Sequence, residues 1–168
     1  MARSCDSCTA CCKVLRIETP ELSKPLGQWC PNCHPGQGCA IYETRPSVCR
    51  DFRCSWLATE ILPDEFRPDR LKVMFSLEPS PLKERHGKLC AVGRALGGLA
   101  DFERPAVREA IVLLIRAGFD VHLAWDATKV RVVPHFGAGG RLAALDMPDH
   151  ALKAMRRTPL RGPTTKPN

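Results

Sequence analysis

Cys5-Asp6-Ser7-Cys8-Thr9-Ala10-Cys11-Cys12 places four thiols in eight consecutive residues near the start of the chain. With Cys30, Cys33, Cys39, Cys49 and Cys54, nine of the ten cysteines fall within the first 54 residues. A thiol packs as a small hydrophobe and carries an oxidation liability, so core building gives no reason to crowd nine of them at one end. The surrounding sequence has little amphipathic periodicity and several turn formers, including Pro31-Asn32 and Pro35-Gly36-Gln37-Gly38. Bound metal is therefore expected to take the place of a hydrophobic core in this segment.

Moving outward, the pattern changes after the proline-rich connector Leu62-Pro63-Asp64-Glu65-Phe66-Arg67-Pro68-Asp69. Leu71 to Leu77 and Lys88 to Val92 read as two strands joined across a Pro/Gly-containing loop. The run Pro105 to Arg116 is the clearest helix, with proline at its start, Gly118 to stop it, and an apolar face of Val107, Ala110, Ile111, Leu114 and Ile115. Val121 to Trp125 and Val130 to Val133 flank Asp126-Ala127-Thr128-Lys129 and read as a hairpin. Past the Gly137 to Gly140 break, Arg141 to Leu145 and Asp149 to Arg156 read as short helices interrupted at Pro148. Within the cysteine segment, a short helix near Pro46, capped by Thr44, would project Cys49.

The expected class is α+β: a metal-stapled cysteine module packed on a small ββαββ body. The expected divisions are residues 1–57 for the module, 58–155 for the body and 156–168 for a basic flexible tail rich in proline, glycine and polar residues. Under this modular division, chelation unfolds the first third and leaves the body largely intact.

The 168 residues are 44% hydrophobic and 26% charged, the composition of a globular chain. Met1 to Lys13 lacks an apolar signal region, and no stretch has the roughly 18 apolar residues of a membrane span. The expected compartment is the cytoplasm, with no membrane partner. Disulfides do not persist there, so closely spaced cysteines read as ligands or redox groups. The net charge of +7 and pI of about 9.0 invite a nucleic-acid reading. Eight ligating thiolates with two zinc ions would bring that charge to about +3, which weakens it. Nucleic acid is thus not an expected partner. An adaptor that uses its basic tail for phosphate would reveal itself by steep salt dependence.

Two cysteines three apart in a tight turn can present both sulfurs to one ion, and Cys30-Pro31-Asn32-Cys33 resembles such a zinc knuckle. Cys11 and Cys12 are adjacent, and in an extended or turning backbone their side chains point apart, which argues for two sites or one polynuclear cluster. Cys5-x2-Cys8-x2-Cys11 also matches the first three ligands of a ferredoxin-type run, without the usual fourth spacing or the terminal cysteine-proline pair. Arg45, Arg50 and Arg53 are placed to offset thiolate charge.

The block Cys5 to Cys12, followed by Cys39-Ala40-Ile41-Tyr42-Glu43-Thr44-Arg45-Pro46-Ser47-Val48-Cys49-Arg50-Asp51-Phe52-Arg53-Cys54, resembles the bacterial CxxCxxCC cysteine-cluster family, also called YkgJ-like. The resemblance covers roughly the first third of the chain and implies zinc or iron chelation, typically by eight cysteines, with no general activity. Carried over by position, it implies Cys5, Cys8, Cys11, Cys12, Cys39, Cys49 and Cys54 as metal ligands, with Cys30, Cys33 or both supplying the intervening one. Nine candidates do not divide evenly into four-ligand sites, so at least one is a bystander, a bridging ligand or a redox thiol.

Two zinc ions are the favoured cofactor, with iron or an iron–sulfur cluster as the alternative, because four thiolates suit either. The expected function is non-enzymatic metal binding. The alternative is an iron–sulfur protein in electron transfer, or one supporting a redox or methyl-transfer enzyme, the latter from a resemblance to cysteine clusters in flagellin lysine methylases.

Other motifs carry less. Cys30-Pro31-Asn32-Cys33-His34 fits the c-type haem attachment pattern, which ordinarily needs export. His34 is first a turn residue, His86, His122, His135 and His150 default to surface or half-buried positions, and Cys90 to a buried core thiol. No phosphate loop, nucleophile elbow or zinc-protease motif is present.

Overall fold

The computed structural model describes residues 3–80, 86–125, 130–133 and 145–146, the last two segments by their backbone. Five helices and nine strands follow one another along these residues, so the protein is of mixed α+β class.

The first half is built from short pieces. Helix α1 (Ala10–Val14) is followed by the two-residue hairpins β1 (Ile17–Glu18) with β2 (Ser23–Lys24) and β3 (Cys33–His34) with β4 (Gly38–Cys39). Helices α2 (Ser47–Asp51), α3 (Ser55–Ala58) and α4 (Pro68–Leu71) complete it. None of these has the length to be stable alone in water, so tertiary contacts must hold them. Helix α2 begins after Pro46 rather than around it, and no side chain caps it. The residue before a proline is disfavoured in the helical region, so the helix starts after the Arg45-Pro46 pair and Thr44 is too early to cap it.

The second half is a five-stranded sheet in the order β5 (Val73–Pro79), β6 (Leu89–Ala95), β7 (Val121–Ala124), β8 (Val130–Val133), β9 (Leu145–Asp146). Strands β5 and β6 pair antiparallel over seven residues, with Phe75 opposite Gly93. Strands β6 and β7 run parallel, which requires a crossover, and helix α5 (Pro105–Arg116) supplies it. Pro105 occupies the first turn of α5. Gly118, at φ +92°, ends it, with the Gly118 and Phe119 amides returning to the Ile115 and Leu114 carbonyls. Strands β7 and β8 pair antiparallel, with the turn at 126–129 outside the described residues. Leu145, expected in a helix, lies instead in β9, where it pairs with Val132 of β8. The other expected helix, from Asp149, and the basic tail lie outside the described residues.

Val107, Ala110, Ile111 and Leu114 of α5 share one core with Val73, Phe75, Ala91, Val121 and Leu123 of the sheet. Each such buried Val, Leu, Ile or Phe side chain contributes about 1.5–3 kcal/mol. The same core takes in Ala10, Val14 and Leu15 from the α1 region, with Cys54 and Trp56. Helices α1, α3 and α4 all rest against β5. The apolar interior therefore runs across the division expected at residue 57. Among the described residues, no helix is long and apolar enough to cross a membrane.

The opposite face of the sheet carries polar side chains largely out of solvent. Ser76 and Glu78 of β5, Cys90 and Arg94 of β6 and His122 of β7 share it with Met74 and Val92, all of them buried except the half-buried Glu78. Arg94 holds Glu78 through two hydrogen bonds of 2.7 and 3.1 Å and donates to Ser76 at 2.8 Å. His122 is fully buried, with no partner for either ring nitrogen among the described residues. Its alternation in the strand allowed half-burial, whereas the fold buries it completely. Cys90 is fully buried, a core thiol.

Candidate metal centre

Backbone turns set the cysteine positions. The Cys8 amide donates to the Cys5 carbonyl at 2.7 Å, and the Cys33 amide to the Cys30 carbonyl at 3.0 Å. Both Cys-x2-Cys pairs are thus tight i to i+3 turns, the backbone form of a knuckle. Asp6 takes a positive φ of 41° within the first of them. Cys11 and Cys12 sit in α1, Cys39 in β4 opposite Cys33, Cys49 in α2, and Cys54 immediately before α3.

These elements converge on a cavity of about 470 Å³ lined by Cys5, Cys8, Cys11, Cys12, Cys30, Cys39, Cys49 and Cys54. Arg45 and Arg53 also line it, while Arg50 does not. The Arg45 guanidinium lies 3.6 Å over the Tyr42 ring and donates to the Tyr42 carbonyl. Cys33 is not among the lining residues and is buried in β3. Cys90 is not among the lining residues.

All ten cysteines are free thiols. Burial pushes Cys54 up to about 11, and burial together with neighbouring Cys12 pushes Cys33 up to about 12. Cys12 is raised chiefly by its hydrogen bond with Cys11, then by burial. Cys11 and Cys12 lie on a helical turn and not on extended backbone. Desolvated thiols stay protonated near neutral pH, so a metal must displace protons to bind.

Among the described residues, no three His, Cys, Asp or Glu side chains stand ready as a metal-ligating group. The donor set nevertheless suits a soft or borderline cation, since eight thiols and no carboxylate other than Asp6 line the cavity. Ligation requires the sulfurs to draw closer together than they stand. His34, in β3, is exposed and does not line the cavity.

Lys24 was not legible as part of this centre. Only 2% exposed, it donates from Nζ to the carbonyls of Lys13, Pro25 and Gln28 at 3.1, 3.0 and 2.7 Å. Burial lowers its pKa, and the nearby Cys30, Cys12, Cys11 and Cys49 oppose that shift. A lone lysine in a short polar run gives no sequence signal for burial.

Comparison with known protein families, with curated proteins and with solved structures finds no match to this chain.

Proposed function

We propose that this is a non-enzymatic metal-binding protein in which cysteine thiolates bind two zinc ions and staple the N-terminal segment to the sheet. The observation that carries this reading is the convergence of eight cysteines, from six separate parts of the chain, on one cavity. The short hairpins and helices there bury few aliphatic side chains of their own, so metal–thiolate bonds would supply folding energy they lack. Membership in the CxxCxxCC cysteine-cluster family belongs to the same proposal, as does a reducing cytoplasmic setting in which the thiols persist.

A second reading is favoured by the continuity of the cavity: one polynuclear iron–sulfur cluster in a redox or methyl-transfer protein. Anaerobic purification of the full chain, with elemental analysis and a visible spectrum on the same sample, separates the two. About two zinc per chain and no visible colour is expected. Iron with acid-labile sulfide and a brown spectrum would replace zinc by the second reading, and absence of any bound metal after reconstitution would overturn both.

A further inference from the structure

The eight cavity thiols divide into two sets when followed by what each packs against. Cys54 belongs to the main core, and Cys8 and Cys11 pack against it. Cys30 belongs to a separate small cluster with Ile17, Leu22 and Cys33, and Cys12 and Cys49 pack against that one. Backbone hydrogen bonds follow the same division. Cys5 is tied to Cys8 by their shared turn, and the Cys30 amide donates to the Cys12 carbonyl at 2.9 Å. Cys39 faces Cys33 of the small cluster across the β3–β4 hairpin, and both sets line the one cavity.

Resting on the metal-binding reading above, we propose that the centre is two inequivalent four-thiolate sites, Cys5, Cys8, Cys11 and Cys54 in one and Cys12, Cys30, Cys39 and Cys49 in the other, with Lys24 a positioning residue for the second alone. Four thiols receiving one divalent ion release four protons to solvent and leave a site of net charge −2. The Lys24 ammonium bridges the two backbones that carry the second site. It holds the carbonyl of Lys13, next after Cys12, and that of Gln28, two before Cys30. It thereby fixes the approach of Cys12 to Cys30, the two thiols of that site its bridge joins. Cys33, which does not line the cavity, is then the ninth thiol and not a ligand.

Anaerobic cobalt(II) titration of the full chain tests this, because cobalt–thiolate absorption counts filled tetrahedral thiolate sites. The wild-type protein is expected to saturate at two equivalents, Cys54→Ser and Cys49→Ser each at one, and the double variant at none. Cys33→Ser should retain two. Lys24→Gln should weaken one of the two binding steps by about tenfold and leave the other unchanged. The half-buried Cys5→Ser and Cys39→Ser repeat the test if circular dichroism shows that Cys54→Ser or Cys49→Ser fails to fold. Loss of both equivalents from a folded single variant overturns the division in favour of a shared cluster. So does a Lys24→Gln effect of equal size on both steps. If the wild-type protein takes up no cobalt, the metal-binding reading itself fails, an outcome distinct from a wrong division.

Discussion

The amide of Cys30 donates a 2.9 Å hydrogen bond to the carbonyl of Cys12, joining the end of the first cysteine block to the start of the second. The two are eighteen positions apart in sequence. The joint is maintained by Lys24, whose ammonium gathers three carbonyls from both sides of it.

Replacing Lys24 by Met would strand those carbonyls in a buried setting. Unpaired buried acceptors cost about 1–3 kcal/mol each, offset in part because the ammonium is no longer desolvated. We expect a net loss of about 2–4 kcal/mol in urea unfolding of the metal-free protein. A change below about 0.5 kcal/mol would show that water reaches this site.

Arg94 and Glu78 form a buried pair on the polar face of the sheet, and Arg94 holds the Glu78 carboxyl below its ordinary range against the opposing effect of burial. Arg94→Met leaves that carboxylate without its partner and should cost about 3–5 kcal/mol. The double variant with Glu78→Gln should recover a substantial part. Equal losses in the single and double variants would mean that packing of the Arg94 stem, not charge, dominates.

Burial lowers the His122 pKa to about 4 from 6.5. In the unfolded chain the imidazole takes a proton as pH falls through 6.5, whereas the folded protein resists until about 4. The contribution of neutral His122 is thus complete above pH 6.5 and is lost between 6.5 and about 4, in total about 3 kcal/mol. His122→Leu should flatten the stability profile across that window relative to wild type. Parallel profiles would place the acid sensitivity elsewhere.

A Cβ added to Gly93 would meet the Phe75 ring at 2.6 Å. Phe75 is buried in the core and its ring cannot swing away freely, so Gly93→Ala should destabilise by about 1–3 kcal/mol. Thermal unfolding reads this directly. Pairing it with Phe75→Leu should relieve part of the cost if the close approach is the cause.

Chelation bears on the modular division. Because Ala10, Val14, Leu15 and Trp56 share the core of the sheet, removing metal should lower the melting temperature of the whole protein and alter the near-ultraviolet signal. Restoring zinc should reverse both. Two separate transitions, with the sheet's transition unmoved, would instead support independent modules.

The α+β class was legible in the sequence because helix α5 and strands β5, β6 and β7 are written in local code. Pro105 and Gly118 punctuate the helix, its apolar residues recur at helical spacing, and the strands carry short apolar runs. The cysteines were legible as a group because their density has no packing explanation. Their division between Ile17–Leu22 on one side and the main core on the other was not, since it depends on contacts between elements distant in sequence. The same holds for the helical setting of Cys11 and Cys12, for β9 in place of a helix, and for the full burial of Lys24 and His122. Local sequence determined which elements form and which atoms can ligate. Only tertiary structure decided which of them meet, because the free energy of burying a lysine or a histidine belongs to the surroundings that enclose it and not to the residue itself.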